Sequence, residues 1–134
     1  MSTAACPRSD GRAITVQEVT TVKKVAYADM TKYGVPPKHF NVVSGRFQGE
    51  AETGLKTFWM GMSHYLPGGG VEWSGEDSAE EKVYFVLEGE LTVTSKDETF
   101  VLGPRDSLYI GPNEGRSILN NTSKPATMIV VVNR

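Results

Sequence analysis

The segment from Glu72 to Lys82, EWSGEDSAEEK, concentrates side chains that can take part in chemistry. Its carboxylates, Glu72 and Glu76 among them, are candidate general acids and bases. Its lysine can pair with a neighbouring carboxylate or bind an anionic ligand. The segment contains no histidine, so any imidazole chemistry must come from elsewhere in the chain.

The chain has two histidines, His39 and His64, which lie far apart in the sequence and are a weak signal for a metal site. His39 follows two prolines and a lysine, which favours a loop histidine with local hydrogen bonds. His64 lies in a strand-like run and alternates with Met60 and Met62, so these three side chains share one strand face. Its imidazole suits acid–base chemistry near neutral pH or hydrogen bonding in the core.

The sequence around these residues predicts β-strands. Fourteen glycines and seven prolines separate short runs rich in Val, Thr, Tyr and Phe, and no long segment shows the 3.6-residue period of an amphipathic helix. We expect eight to ten strands in a β-sandwich or a small closed barrel. The first strand-like run, AITVQEVTTVKKV, is expected to form an arm, followed by one helical turn and an extended loop around Pro36 and Pro37.

Turn residues define the expected strand ends. The run LKTFWMGMSHYL predicts a strand that stops at Pro67, and the following Gly68–Gly70 predicts a tight strand crossing. QGEAETG is expected to be a polar loop. KVYFVLEGELTVTS predicts a hairpin that turns at Glu88 and Gly89.

Length and charge narrow the function classes. The 134 residues fit one domain, and a net charge of −2 gives no electrostatic basis for binding nucleic acid or an anionic membrane. No apolar run is long enough for a membrane span, and the N-terminus lacks the apolar segment of a secretory signal. A single cysteine, Cys6, cannot form an internal disulfide, so we expect a cytoplasmic protein.

From Leu55 to Val132 the spacing of the strands resembles that of the cupin superfamily, most closely in YLPGGG, VYFVLEGELTV and the run from Leu102 to Val132. The resemblance implies an all-β fold, a jelly-roll β-barrel of two antiparallel sheets. We expect an N-terminal arm over residues 1–45 and the cupin barrel over residues 46–134. In many cupins such an arm pairs with the sheet of a partner subunit, so a homodimer is expected.

The resemblance also implies a site at which three histidines and one glutamate bind a transition metal, but this sequence departs from it at all four ligand positions. The His-x-His pair falls on Gly75 and Asp77, or on Glu76 and Ser78 with a shorter spacer, while Lys82 replaces the glutamate and Arg116 the last histidine. An ammonium group about 4 Å from a divalent ion is repelled by about 8 kcal/mol at an effective dielectric constant of about 20. We therefore expect no metal cofactor.

The two cations suggest a different ligand for the barrel. Lys82 shares a strand face with Tyr84 and Val86, and the resemblance turns this face into the barrel, where Arg116 would meet it from an opposing strand. Either internal carboxylates pair with these cations, or a bound carboxylate or phosphate does. Arg116 would also lower the pKa of Lys82. The further candidate ligand contacts are Tyr84, Asp77 and Trp73, the last at the expected mouth of the barrel.

Three functions remain open from the sequence. The first is a small cupin that binds a small anionic metabolite and carries out isomerase, lyase or hydrolytic chemistry without the usual metal, with His64, Glu72 or Glu76 as acid–base groups. The second is a metal-dependent dioxygenase or decarboxylase whose non-standard ligands include His64 with Glu72, Asp77 or Glu81. The third is a non-catalytic sensing or assembly module.

Elemental analysis of the purified protein separates the first two functions. We expect no transition metal at a stoichiometric level, because cations occupy two of the four ligand positions. One tightly held metal ion per chain would contradict this expectation and favour the second function.

Overall fold

The structure, a computed structural model, describes residues 22–134. A 3₁₀ turn at Tyr27–Asp29 and one short helix, α1 (Glu50–Thr53), accompany nine strands. The strands are β1 (Thr31–Lys32), β2 (His39–Gln48), β3 (Phe58–Ser74), β4 (Lys82–Glu88), β5 (Leu91–Thr94), β6 (Thr99–Leu102), β7 (Ser107–Ile110), β8 (Arg116–Leu119) and β9 (Ala126–Asn133). Among these residues no helix is long and apolar enough to span a membrane. The arm strand expected over residues 13–25 and Cys6 lie largely or wholly outside the described range.

The strands pair antiparallel in the order β6-β5-β8-β3-β9-β4-β7. In addition, β2 pairs with β3, and β1 pairs with β2. This nearly closed sheet is the all-β jelly roll that the sequence analysis predicted. The barrel interior is filled by alternate strand residues, because side chains of a strand point to opposite faces in turn. Tyr84 and Val86 of β4 are buried, for example, while their neighbours Val83 and Leu87 are exposed. The expected end of the N-terminal arm, residue 45, lies inside β2 and not between two elements.

Strand β3 is the main correction to the predicted elements. It was expected to stop at Pro67, but it continues to Ser74 and belongs to both halves of the barrel. Its first half pairs with β9, its second half with β8, and β2 lies along both. Glycine makes this possible, since a Cβ at Gly70 would lie 2.0 Å from the carbonyl oxygen of Ile118 and one at Gly69 would lie 2.3 Å from that of Asn41. The predicted strand crossing at these glycines is confirmed.

The predictions for two shorter segments, a turn and a loop, were also wrong. The turn at Glu88 and Gly89 does not close a hairpin, because β4 pairs with β7 and β9 whereas β5 pairs with β6 and β8. Gly89 has a positive φ of 82° and lies against the backbone of Ala126, and the chain passes there from one half of the barrel to the other. The loop QGEAETG contains α1, which Gly54 ends in the left-handed conformation.

Gly70→Ala should lower the free energy of unfolding by about 2–3 kcal/mol, because the new methyl group meets backbone atoms that cannot rotate away. Gly34→Ala is the matched control, since nothing lies within 4 Å of its Cβ position. Chemical denaturation should show a lower midpoint for Gly70→Ala alone. Equal stability of the two variants would contradict the close approach of β3 and β8.

Candidate functional site

A cavity of about 510 Å³ opens between β2, β3, β4, β8 and β9. Its apolar wall includes Trp59, Ile118, Met128, Val130 and Val132. Its polar wall includes His39, Tyr65, Glu80, Lys82, Tyr84 and Arg116. The segment Tyr33–Pro37, which precedes β2, lies along the same cavity. An apolar cavity with a few convergent polar groups is the usual form of a small-molecule site.

Arg116, the first residue of β8, is held in place by two neighbouring strands. Its Nε donates to the Tyr84 hydroxyl at 2.7 Å, and its Nη1 donates to the Oγ and the carbonyl oxygen of Ser74 at 2.8 and 3.1 Å. Burial raises the pKa of Tyr84, an effect that Arg116 opposes, so the phenol keeps its proton at neutral pH. These bonds fix the plane of the guanidinium group at the cavity wall.

Lys82, the first residue of β4, reaches the same cavity. Its Nζ donates to the Ser78 hydroxyl at 3.0 Å. Burial lowers the pKa of Lys82, the Arg116 guanidinium lowers it further, and the Glu80 carboxylate acts in the opposite direction. Arg116 thus acts on this pKa in the direction expected from the sequence, although burial is the larger cause.

Neither cation has an internal counter-ion within the part of the chain that the structure describes. The ion pairs found there join Arg46 to Glu52 and Arg134 to Glu50, each at 3.0 Å. Glu80 is the carboxylate that lines the cavity, and its Oε1 accepts a hydrogen bond from Ser78 at 3.0 Å. Ser78 therefore stands between Lys82 and Glu80. Of the two alternatives left open for Lys82, pairing with an internal carboxylate is not found among the described residues.

The structure places the two histidines differently from the expectation. His39 is the first residue of β2 and lines the cavity. His64 does not line it: its ring lies between the hydroxyls of Tyr27 and Thr127, at 3.1 and 3.0 Å, on the face of β3 that the N-terminal segment covers. The reason is the alternation of β3, because Ser63 and Tyr65 occupy the cavity face and turn His64 away from it.

The other predicted site residues lie outside the cavity. Glu72, Glu76 and Asp77 are exposed, and Trp73 packs with Glu76 against Gly115. Of the predicted set, the structure brings together Lys82, Arg116 and Tyr84. His39, Tyr65 and Glu80 join them and were not predicted. His39 carried no local signal, because its position depends on pairing with Val71, which lies 32 residues further along the chain.

The residues at the expected metal position do not fit a metal ion. Lys82 and Arg116 stand at two ligand positions, and both are hydrogen-bond donors without a lone pair for a metal in their charged forms. Within residues 22–134 no group of three or more His, Cys, Asp or Glu side chains is arranged to hold a metal. The carboxylates proposed as non-standard ligands with His64 are not gathered around it.

Comparison with known proteins agrees with this architecture. The model of the cupin domain family matches residues 61–132, which is 72 of the 134 residues. The chain belongs to the cupin family. The resemblance seen in the sequence is thereby confirmed. A curated relative, a β-D-galactosidase of Mycobacterium tuberculosis, is 39% identical over 109 residues, which cover 81% of this chain and 92% of that protein.

Solved cupin structures share the fold at low sequence identity. The polyketide cyclase RemF of Streptomyces resistomycificus superposes with a TM-score of 0.74 at 19% identity, over 84% of this chain and 80% of that one. A sugar phosphate isomerase of Silicibacter pomeroyi superposes with a TM-score of 0.67 at 18% identity, over 84% and 76%. These likenesses support the fold alone.

Arg116→Gln should raise the pKa of Lys82 toward its ordinary value, because removal of a nearby positive charge favours the ammonium form. The pKa can be followed through the ¹³Cε shift of Lys82 in an NMR pH titration. Arg105→Gln is the matched control, since it removes the same charge from an exposed turn beside the far end of β4. An unchanged or lower pKa in Arg116→Gln would contradict the proximity of the two cations.

Proposed function

We propose that this cupin binds a small organic anion, of about the size of a sugar acid, inside its barrel. The observation that carries the proposal is that Lys82 and Arg116 line one cavity while neither forms an ion pair with a described residue. Partly buried cations without a counter-ion are costly. A bound carboxylate or phosphate would neutralise them and accept hydrogen bonds from both.

The arrangement of Arg116 supports this proposal. Tyr84 and Ser74 engage Nε and Nη1, whereas Nη2 donates to none of the described residues. A guanidinium group that is already oriented loses little conformational entropy when it binds an anion. Lys82 adds a second donor, because the single bond to Ser78 leaves two of its three ammonium hydrogens for a ligand.

The size and the composition of the cavity also fit a small metabolite. Its volume of about 510 Å³ lies within the range of ordinary ligand pockets, about 300–1,000 Å³. Trp59, Met128 and Val130 add apolar surface to the same cavity. A ligand with one anionic end and an uncharged body, such as a sugar acid or a short carboxylic acid, would match both walls.

The sign of the charge limits the chemistry of such a site. Two cations stabilise negative charge that develops on a bound substrate, as in proton abstraction next to a carbonyl group. They oppose positive charge, such as that of the oxocarbenium-like transition state of glycoside cleavage. The cavity therefore favours reactions through an enolate-like intermediate over reactions through a cation.

A second candidate function is hydrolysis of a β-galactoside, and the 39% identity with a protein named as a β-D-galactosidase is the observation that favours it. The reaction ordinarily uses two carboxyl groups, and Glu80 is the one carboxylate of the described residues in the cavity. Release of nitrophenol from 4-nitrophenyl β-D-galactoside tests this candidate. If the wild type releases nitrophenol and Glu80→Gln does not, hydrolysis becomes the favoured function.

Binding of acids without turnover of any compound would instead favour the third function, a non-catalytic sensing module.

D-Galacturonate and D-galactose make a matched pair for testing the anion site, since they differ only in a carboxylate or a hydroxymethyl group at C6. We expect the acid to bind more tightly by calorimetry. Arg116→Gln and Lys82→Gln should each weaken its binding about 10- to 100-fold, because a hydrogen bond between charged groups contributes about 1.5–3 kcal/mol.

The same substitutions should leave the binding of D-galactose nearly unchanged. Arg105→Gln removes an exposed cation outside the cavity and serves as the control. The proposal fails if carboxylic acids and phosphates of this size do not bind, or if both cavity variants bind the acid as well as the wild type does.

A further inference from the structure

His39 is the one histidine of the chain that lines the cavity. It is half-buried at the start of β2, where it pairs with Val71 of β3. The cavity thus holds a neutral-pH acid–base group beside two cations, although the sequence pointed to the other histidine for this role.

Hydrogen bonding fixes which ring nitrogen of His39 carries the proton. Nδ1 lies 2.9 Å from the carbonyl oxygen of Pro37, an atom that can only accept, so Nδ1 must donate. In the neutral ring Nε2 is then the unprotonated nitrogen, and it bonds to none of the described residues. The ring is therefore oriented with a proton acceptor available at Nε2.

The surroundings keep this ring neutral. Burial lowers the pKa of His39, the bond to the Pro37 carbonyl opposes this effect, and the positive charge of Arg116 lowers the pKa further. A histidine that stays neutral at physiological pH can act as a general base.

We propose that His39 is the general base of the cavity and that it removes a proton from carbon 3 of a bound 2-oxo acid. The inference rests on the anion site proposed above and adds a substrate class to it. A 2-oxo acid carries a carboxylate for Arg116, a ketone oxygen for Lys82 and, next to the ketone, an acidic C–H bond for His39. In a 2-oxo acid these three groups lie on consecutive carbon atoms, so a small cavity can reach all of them.

The step balances without a metal or a redox partner. His39 Nε2 takes the proton from carbon 3 and becomes an imidazolium, and the electrons of the C–H bond form a double bond between carbons 2 and 3. The π electrons of the ketone move to its oxygen, where Lys82 donates a hydrogen bond to the enolate. When the imidazolium proton has exchanged with solvent, its return to carbon 3 regenerates the 2-oxo acid with a solvent hydrogen.

The exchange of the carbon 3 hydrogens of 2-oxobutyrate in D₂O, followed by proton NMR, tests this step. We expect the wild-type protein to accelerate the exchange above the rate in buffer. His39→Asn, whose amide can still donate to the Pro37 carbonyl, should slow the protein-catalysed rate at least about 100-fold while 2-oxobutyrate still raises the melting temperature.

Two further variants test the other available bases. His64→Asn removes the second histidine, and Glu80→Gln removes the carboxylate in the cavity. Loss of exchange in either of them, with full exchange in His39→Asn, would assign the base elsewhere and overturn the inference.

The outcomes separate the inference from the proposal on which it rests. Binding of 2-oxobutyrate to the wild type without any exchange overturns the role of His39 and leaves the anion site intact. Binding of D-galacturonate but not of 2-oxobutyrate overturns the substrate class. Failure of every carboxylate and phosphate to bind overturns the anion site itself.

Discussion

Two neighbouring cations that form no ion pair with any carboxylate of residues 22–134 are the constraint on which the site depends. Lys82 begins β4 and Arg116 begins β8, two strands that do not pair with each other. Each cation is held by hydroxyl groups, those of Ser78 and of Tyr84 with Ser74. Hydroxyls orient the cations without neutralising them. The positive charge therefore remains available to a ligand, and the same charge determines which reactions the cavity can assist.

The chain has the fold of the cupin family, although the side chains at the expected metal-ligand positions are different. Gly69 and Gly70 let β3 cross between the two halves of the barrel. Asn120 is fully buried and donates to the carbonyl oxygens of Tyr65 and Lys124 at 3.0 and 2.7 Å. These residues serve the fold, which explains how they can remain when the metal-binding side chains do not.

Strand alternation predicted that Lys82 and Tyr84 share one face of β4, and the resemblance to cupins predicted that this face lies inside the barrel. Both side chains line the cavity there. The same reasoning was wrong for His64, because Ser63 and Tyr65 of the alternate face line the cavity while His64 bonds to Tyr27 and Thr127 instead. His39 was expected to be a loop residue with local hydrogen bonds, and its bond to Pro37 is local. Its place at the cavity could not be predicted, because that place comes from pairing between distant residues. The extension of β3 past Pro67 likewise depends on close backbone contacts that the sequence does not display.

A crystal structure of the protein with D-galacturonate, or with whichever acid stabilises it most, tests the central claim most directly. We predict that the carboxylate lies in the barrel, within hydrogen-bond distance of Arg116 Nη2 and Lys82 Nζ, with the Tyr84–Arg116 bond preserved. An acid bound elsewhere, or a barrel in which carboxylates of the protein itself pair with both cations, would contradict it.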